Sequence, residues 1–456
     1  MEWLPWSGEA FARARTERKP VLLSIVAPWS AGCAEMDRVS YADAATAAFI
    51  NERVIAIRVD ADHRPDLADR YDLGGLPTTA FLTADGALLG GGTFVRPERL
   101  RTAVATVTAA SEALPASGQS AAQAPASGRR IDDASLLDLI FAGFDEANGG
   151  FGTAPKFPLV APVRLALDLC AEQQIAGMRH RAVRTLEAMG WGGLYDEKDG
   201  GFFRCAERAD WSAPQREKLL ATNAALLDLY LHAGTVLGDE RWFARAADLV
   251  AFIHRALASS AGGWRASEGG DSGRIFCDTN ALAVSAMLRA AAIFQDDALG
   301  RRALDGLERV LLASYKPGNG VGHSADGARG LLGDQVGMAA ANLDAWESTG
   351  NIVYRMMAEE LMHYALRTMW DEHAGGFFSR IADQTEPSGC VSKPFLLNCE
   401  AALVLHRVGR AVPRSPFAAH AVATLDAIGP RAAEFGPLAA AYLIARRAVA
   451  NPDRQP

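Results

Sequence analysis

Two hydrophobic rhythms divide this chain. Before about residue 110, short apolar runs alternate with amphipathic stretches. Val21–Ala27 is a nearly continuous apolar run between Pro20 and Pro28, the pattern of a strand covered on both faces. Val54–Val59 is a second strand, and Thr78–Thr83 and Ala87–Gly91 flank the turn pair Asp85-Gly86, which predicts a hairpin. Helices are predicted from the capping Ser7 to about Glu17, after the first strand to about Asn51, over about Pro65–Tyr71, and from about Pro97 to Ala110. The order α, β, α, β, α, β, β, α, with parallel strands followed by an antiparallel hairpin, is that of the thioredoxin fold.

From about residue 131 to 450 the rhythm changes. No strand pattern stands out, and long helices carry apolar residues at three- and four-residue spacing, as in Ala224–Leu237 and Ala281–Phe294. One kind of loop recurs between them. It reads Asn148-Gly149-Gly150-Phe151, Asp199-Gly200-Gly201-Phe202-Phe203, Ala261-Gly262-Gly263-Trp264, Gly318-Asn319-Gly320-Val321 and Ala374-Gly375-Gly376-Phe377-Phe378. The spacing of roughly 50–60 residues is one helical hairpin, and such a period marks a repeat architecture. Roughly six hairpins fit the segment, which predicts a closed (α/α)6 barrel, with an open superhelix of helix pairs as the alternative. The aromatic after each glycine pair either plugs the hairpin end or lines the barrel mouth.

Between the two rhythms, residues 111–130 are rich in Ala, Ser, Pro, Gln and Gly and nearly free of large apolar side chains. Such a segment buries too little surface to offset its ordering entropy and reads as a flexible linker. The predicted organisation is therefore multidomain, α/β followed by all-α: a thioredoxin-like domain over 1–110, a linker over 111–130 and a barrel over 131–450. A net charge of −8 spread along 456 residues gives no basic stripe, so nucleic acid is not an expected partner. No apolar run is long enough for a membrane span. The start Met1-Glu2-Trp3-Leu4-Pro5-Trp6 lacks the features of a secretory signal. Cysteines at 33, 170, 205, 277, 390 and 399 form neither a C-x-x-C pair nor a zinc spacing. A reducing, cytoplasmic setting with no metal and no cofactor is expected.

The apolar run Val21–Ala27 leads into Trp29-Ser30-Ala31-Gly32-Cys33. A dithiol oxidoreductase needs an attacking thiol at the helix start, where the helix dipole and free N–H groups favour thiolate. It needs a second thiol to resolve the mixed disulfide. Here Ser30 holds the attacking place and Cys33 the resolving one. A serine hydroxyl is not ionised near neutral pH, so dithiol exchange is not expected. Leu76-Pro77-Thr78 precedes the third strand, and Pro77 is the candidate for a cis peptide facing the motif. A single-thiol role for Cys33 and a partner-binding groove beside Trp29 and Pro77 remain as alternative uses of this domain.

These motifs resemble the spermatogenesis-associated thioredoxin-like proteins and their bacterial relatives, which join a thioredoxin-like domain to an (α/α)6 barrel. The resemblance rests on Lys19-Pro20-Val21-Leu22-Leu23-Ser24-Ile25, on Val59-Asp60-Ala61-Asp62-His63-Arg64-Pro65-Asp66-Leu67 and on Gly91-Gly92-Thr93-Phe94. It is closest at Gly149-Gly150-Phe151-Gly152-Thr153-Ala154-Pro155-Lys156-Phe157-Pro158, followed by Gly193-Leu194-Tyr195-Asp196 and Gly200-Gly201-Phe202. The family's Cys-His-Trp-Cys-His appears here as Ser30-Ala31-Gly32-Cys33-Ala34. Its Pro-His-Phe-Glu-Lys-Met-Leu-Tyr-Asp appears as Pro214-Gln215-Arg216-Glu217-Lys218-Leu219-Leu220-Ala221-Thr222, so only Glu217 and Lys218 survive of its charged or hydroxyl groups. Its Trp-Asn-Gly appears as Asp278-Thr279-Asn280-Ala281. The resemblance implies a divergent member.

Barrels of this kind resemble those of sugar epimerases and glycosidases, which points to a small polar or carbohydrate-like ligand and, if there is catalysis, to an epimerase or hydrolase. Glycoside hydrolysis needs two carboxyls, one kept protonated. Epimerisation beside a carbonyl needs paired acid and base groups. Candidate carboxyls are Asp196, Asp210, Glu217, Asp278, Asp334 and Glu400, and no spacing singles out a pair among His180, His232, His254, His323, His363, His373 and His406. Glu217, Lys218, Asp278 and Asp334 are the catalytic candidates. Lys156, Trp211, Gln215, Asn223 and Asn280 are the ligand-binding candidates. The plainer reading is a solvated Glu217–Lys218 pair and Asp278 as a helix cap. The competing overall reading is a non-enzymatic scaffold that uses the thioredoxin groove.

Overall fold

The computed structural model describes residues 1–113, 131–172, 175–269, 273–382, 386 and 391–451. Most of the expected linker, 114–130, lies outside the described residues, and 111–113 belong to a helix. The chain divides into two compact units. One is Met1–Ala126 with Phe378–Pro394; the other is Ser127–Phe377 with Phe395–Pro456. The sequence pattern pointed to a single cut, whereas the contacts also assign the excursion Phe378–Pro394 to the first unit.

In the first unit, α1 (Gly8–Glu17), β1 (Val21–Val26), α2 (Ala31–Met36), α3 (Ala44–Arg53), β2 (Ile55–Asp60), α4 (Pro65–Arg70), β3 (Thr78–Leu82), β4 (Leu88–Gly92) and α5 (Pro97–Ala113) follow one another. The sheet order is β2-β1-β3-β4. Strand β1 runs parallel to β2, with Val21 opposite Ile55, and antiparallel to β3, with Val21 opposite Leu82. Alternation along β1 sends Val21, Leu23 and Ile25 to one core with Phe11 and Leu67, and Leu22 to the other with Met36 and Ile50. This explains why the run is apolar throughout. The expected single helix to Asn51 is instead α2, a π-type turn over Asp37–Tyr41, and α3. Asp43 causes the restart, because its carboxylate accepts the Thr46 N–H at 2.8 Å and caps a new helix.

The excursion has a polar anchor within this unit. Arg64 grips Asp66 through two bonds of 2.8 Å. Arg380 Nε reaches the same carboxylate at 3.1 Å and its guanidinium also pairs with Glu386. Asp66 and Arg380 are both nearly fully buried. The Arg64-Pro65-Asp66 motif thus serves as a socket for an arginine far along the chain.

The second unit is a closed ring. Its inner helices are α7 (Val160–Ala171), α9 (Leu220–Leu237), α11 (Cys277–Phe294), α13 (Leu332–Thr349), α15 (Phe395–Ala411) and α17 (Ala440–Ala450). Each packs on the next, and α17 returns to α7. The outer layer is α6 (Asp133–Ala142), α8 (Met178–Gly190), α10 (Glu240–Phe252), α12 (Asp297–Ser314), α14 (Ile352–Met369) and α16 (Phe417–Ile428). Ring closure selects the (α/α)6 barrel over the open superhelix. Short strands β5 (Cys205–Ala206) and β6 (Pro214–Gln215) escaped the sequence pattern because two residues carry no periodicity.

The recurring glycine loops are built alike. The residue after each glycine pair, or after Gly320 in the fourth loop, bridges back to one six or seven positions earlier: Phe151 to Phe144, Phe202 to Tyr195, Trp264 to Ala258, Val321 to Tyr315 and Phe377 to Trp370. The second glycine is needed for space as well as for conformation. Gly201 has φ of 81°, and a Cβ there would stand 2.6 Å from the Phe252 ring. A side-chain amide on the first turn of the next inner helix then clamps the loop. Asn223 accepts the Phe202 N–H at 2.7 Å and donates to its C=O at 3.1 Å. Asn280 does the same for Trp264, Gln335 for Val321 and Asn398 for Phe377, at 2.7–3.0 Å. All four amides occupy the fourth position of their helices. Phe151, Phe202, Trp264 and Phe377 are buried, so the loop aromatics plug hairpin ends.

A polar network ties three neighbouring inner helices. Arg164 and Arg289 both pair with Asp228, at 2.6 and 2.7 Å. Burial alone would raise the Asp228 carboxyl, but the two guanidiniums hold it below its usual range. Arg289 also donates to His232 Nδ1 at 3.1 Å. Because arginine can only donate, His232 carries its proton on Nε2 and donates it to Asp168 at 2.7 Å. The i,i+4 pairs Arg164/Asp168 and Asp228/His232 on otherwise apolar helices were the sequence signal for this network.

Two outcomes follow. Asn223→Ala removes three amide bonds, including one to the Leu219 carbonyl, and leaves the buried Phe202 backbone without partners. It should lower stability by about 2–4 kcal/mol, read from urea unfolding; a loss under about 0.5 kcal/mol would contradict the clamp. His254 has both ring nitrogens buried without a hydrogen-bond partner, and burial pushes its pKa down to about 4. The unfolded chain protonates this histidine below its ordinary value near 6.5, so stability is full above that pH and falls as pH drops from 6.5 towards 4. His254→Phe should flatten this part of the slope, so its urea midpoints at pH 7.5 and 4.5 should lie closer together than in the parent. Parallel shifts in both proteins would refute the assignment.

Candidate functional site

The residues of the thioredoxin-like motif are held by burial and hydrogen bonds. Ser30 caps α2, its hydroxyl accepting the Cys33 N–H at 3.4 Å. Cys33 is 3% exposed and its sulfur accepts the Ala27 N–H at 3.4 Å. Burial pushes the thiol up, against the opposing hydrogen bond to Ser30. Trp29 Nε1 donates to the Asp62 carboxylate at 2.9 and 3.0 Å. The Leu76–Pro77 peptide is cis, and a Cβ on Gly32 would lie 3.2 Å from the Pro77 ring.

In the barrel unit, the candidates near Glu217 are committed to loops. Lys218 is buried, with Nζ 2.8 Å from Asp196 and 3.4 Å from Glu268, beside the Phe203 and Phe252 rings. Lys156 is fully buried, 2.7 Å from Asp145 and 2.8 Å from the Ala209 carbonyl, beside the Trp211 ring. Asp145 and Asp196 each open a glycine loop and accept the N–H groups two and three residues on. Burial would raise the Asp145 carboxyl, but Lys156 and Asn148 outweigh it and hold it at about 2. Trp211 Nε1 donates to the Asn148 carbonyl at 3.0 Å, and Gln215 accepts from Arg204 at 3.2 Å. Glu217 is half-buried, and its carbonyl accepts the Arg204 N–H. With Asn223 and Asn280 engaged as clamps, these residues hold the hairpin ends together.

Asp278 and Asp334 are brought together. They are the second residue of α11 and the third of α13. Between them sits His323, whose Nδ1 is 2.8 Å from Asp334 Oδ1 and 4.0 Å from Asp278 Oδ1. One ligand-capable atom from each of the three lies within 4.8 Å of the others. His323 is held on a short turn. Its N–H donates to the Ala328 carbonyl, its carbonyl accepts the Cys277 N–H, and its ring stacks on Phe276. Asp334 and His323 are 1% and 2% exposed, whereas Asp278 reaches solvent with 31% of its side chain exposed. Burial raises the Asp334 carboxyl to about 6, against the pull of His323. Glu400, sixth in α15, is exposed as a residue, yet desolvation of its carboxyl raises it to about 7, and the Asp278 charge adds to the rise. The arrangement offers a histidine oriented by an aspartate, a second aspartate beside them, and a carboxyl raised towards neutral pH. Sequence spacing could not single out His323, because it lies on an irregular loop eleven residues before its partner.

Residues 1–120 match the family model described as Thioredox_DsbH, a protein of unknown function, DUF255. Mouse spermatogenesis-associated protein 20 is 29% identical over 308 residues, covering 60% of this chain and 39% of that protein. The chain is a homologue of that protein, and its first unit is thioredoxin-like. It spans about two fifths of the length of the curated relatives it matches. Among solved structures, the cellobiose 2-epimerase of Bacillus thermoamylovorans superposes with a TM-score of 0.55 at 11% identity, over 65% of this chain and 86% of that one. A glycoside hydrolase family 76 mannosidase from Bacteroides thetaiotaomicron gives 0.54 at 8% identity, over 71% and 98%. At these identities the likeness is one of fold, an α/α barrel. Among the described residues no helix is long and apolar enough to cross a membrane.

The buried Cys33 yields a direct outcome. In the native protein its alkylation by iodoacetamide should proceed at the rate of unfolding, and urea should accelerate it sharply. Rapid native labelling of Cys33, located by peptide mapping, would restore the single-thiol reading.

Proposed function

We propose that the barrel binds a small polar, sugar-like ligand where α11, α13 and α15 begin and acts on it by proton transfer, while the thioredoxin-like unit carries out no dithiol exchange. The observation that carries this reading is the convergence of Asp278 and Asp334, at the starts of α11 and α13, on His323, with Glu400 of α15 near enough to feel the Asp278 charge. Supporting it, the barrel neighbours include a cellobiose 2-epimerase and a family 76 mannosidase. Epimerisation fits the group set best. A base takes the proton from the carbon beside the carbonyl, and an acid returns one on the opposite face, with no net co-reactant. The His323–Asp334 pair is suited to the first role and Glu400 to the second.

The test is proton exchange. With D-mannose, D-glucose or cellobiose in D2O, the protein should wash deuterium into C2 of at least one sugar, followed by proton NMR. Glu400→Gln and Asp334→Asn should slow the wash-in by about 10²-fold or more while keeping the parent's circular dichroism. No wash-in by the parent protein, together with no line broadening of any of the three sugars, would discard the proposal.

A further inference from the structure

We infer that Asp278, His323 and Asp334 form a binding site for a divalent transition-metal ion. The three side chains present one imidazole nitrogen and two carboxylates from three separate segments: the start of α11, the turn after Val321 and the start of α13. Their separations suit a shared ion. Ligands about 2.1 Å from a metal stand about 3 Å apart when adjacent and about 4.2 Å apart when opposite. The observed 2.8 and 4.0 Å from His323 Nδ1 fall in that range.

A second observation is independent of the clustering. Asp334 is 1% exposed, and its Oδ2 is buried with no hydrogen-bond partner. A carboxylate oxygen closed off in this way is costly unless something positive reaches it. Among the described residues this carboxylate pairs with His323 and with no arginine or lysine. A cation held by both oxygens of the Asp334 carboxylate would reach the orphaned Oδ2 as well as Oδ1, and would offset the charge of Asp278 beside it.

The setting also matches a built site. The His323 backbone is tied at both its N–H and its carbonyl, and Phe276 fixes the ring plane. Ligands held on a frame this rigid lose little freedom on binding. Asp278 is the open side, through which an ion can enter. One imidazole with two carboxylates is a borderline-hard donor set, suited to Mn2+, Fe2+ or Zn2+ rather than to an all-oxygen Ca2+ cage.

This inference stands apart from the sugar reading, because it is read without substrate. The full chain, stripped with EDTA and dialysed, is titrated with Mn2+ and the free ion is followed by electron paramagnetic resonance. One equivalent should be held with a Kd below about 100 μM, and Zn2+ should displace it. His323→Gln and Asp334→Asn should each weaken binding by at least about tenfold. Since Asp334 is buried, Asp278→Asn is the variant least able to disturb folding, and it should weaken binding as well. An undiminished free Mn2+ signal with the parent protein, or parent-like binding in folded His323→Gln and Asp278→Asn, would overturn the inference. Running the deuterium wash-in on the stripped protein separates the two proposals, since either can fail while the other holds.

Discussion

The barrel depends on a single repeated hydrogen-bond arrangement. In four hairpins an amide side chain, four residues into an inner helix, holds both the N–H and the C=O of the residue after the loop glycines. A tight left-handed loop exposes backbone groups that must find partners once buried. The amide sets a donor and an acceptor side by side at the spacing of a peptide unit, so it pairs with that residue as a strand would, and its second N–H is left for the helix-start carbonyl. Each clamp thereby fixes where its inner helix begins relative to the preceding hairpin. The helix starts are the places where Asp278, Asp334 and Glu400 stand, so the register of the candidate site is inherited from the clamps.

The loops also explain why Lys156 and Lys218, which stand in the barrel unit's motif segments, are buried. Lys156 and Lys218 neutralise the aspartates that begin the first two glycine loops. Sequence resemblance marks residues that are needed without saying for what. Here the need is met by a loop whose aspartate turns its own backbone and whose charge must then be balanced inside protein. The thioredoxin-like unit tells a parallel story, since Ser30 retains the capping geometry of the motif while removing its nucleophile.

Much of the architecture was legible in the chain. Apolar runs, the first of them bounded by prolines, and the Asp85-Gly86 turn located the four strands, and the glycine-loop period located the hairpins. The break at Asp43 was not legible, because one capping residue inside an apolar pattern changes no periodicity. Asp278 and Asp334 could be named from their places near predicted helix starts. Their partner could not, because His323 sits on an irregular turn and meets them only through ring closure. In the sequence Asn223 and Asn280 look like pocket groups, because a polar residue on an apolar helix has two explanations. Only the position of the adjoining loop decides between them.

The assignment of Phe378–Pro394 to the first unit has a consequence for how the protein is made. The ribosome releases the thioredoxin-like strands and helices early, and domains generally fold as they emerge. Asp66, however, receives Arg380 only after four of the six inner-helix segments, α7, α9, α11 and α13, have been synthesised. Until then a carboxylate destined for burial waits in a nearly finished fold. Completion of the first unit therefore reports that most of the second has been translated, which makes the nascent unit a point at which a truncated chain can be told from a full one.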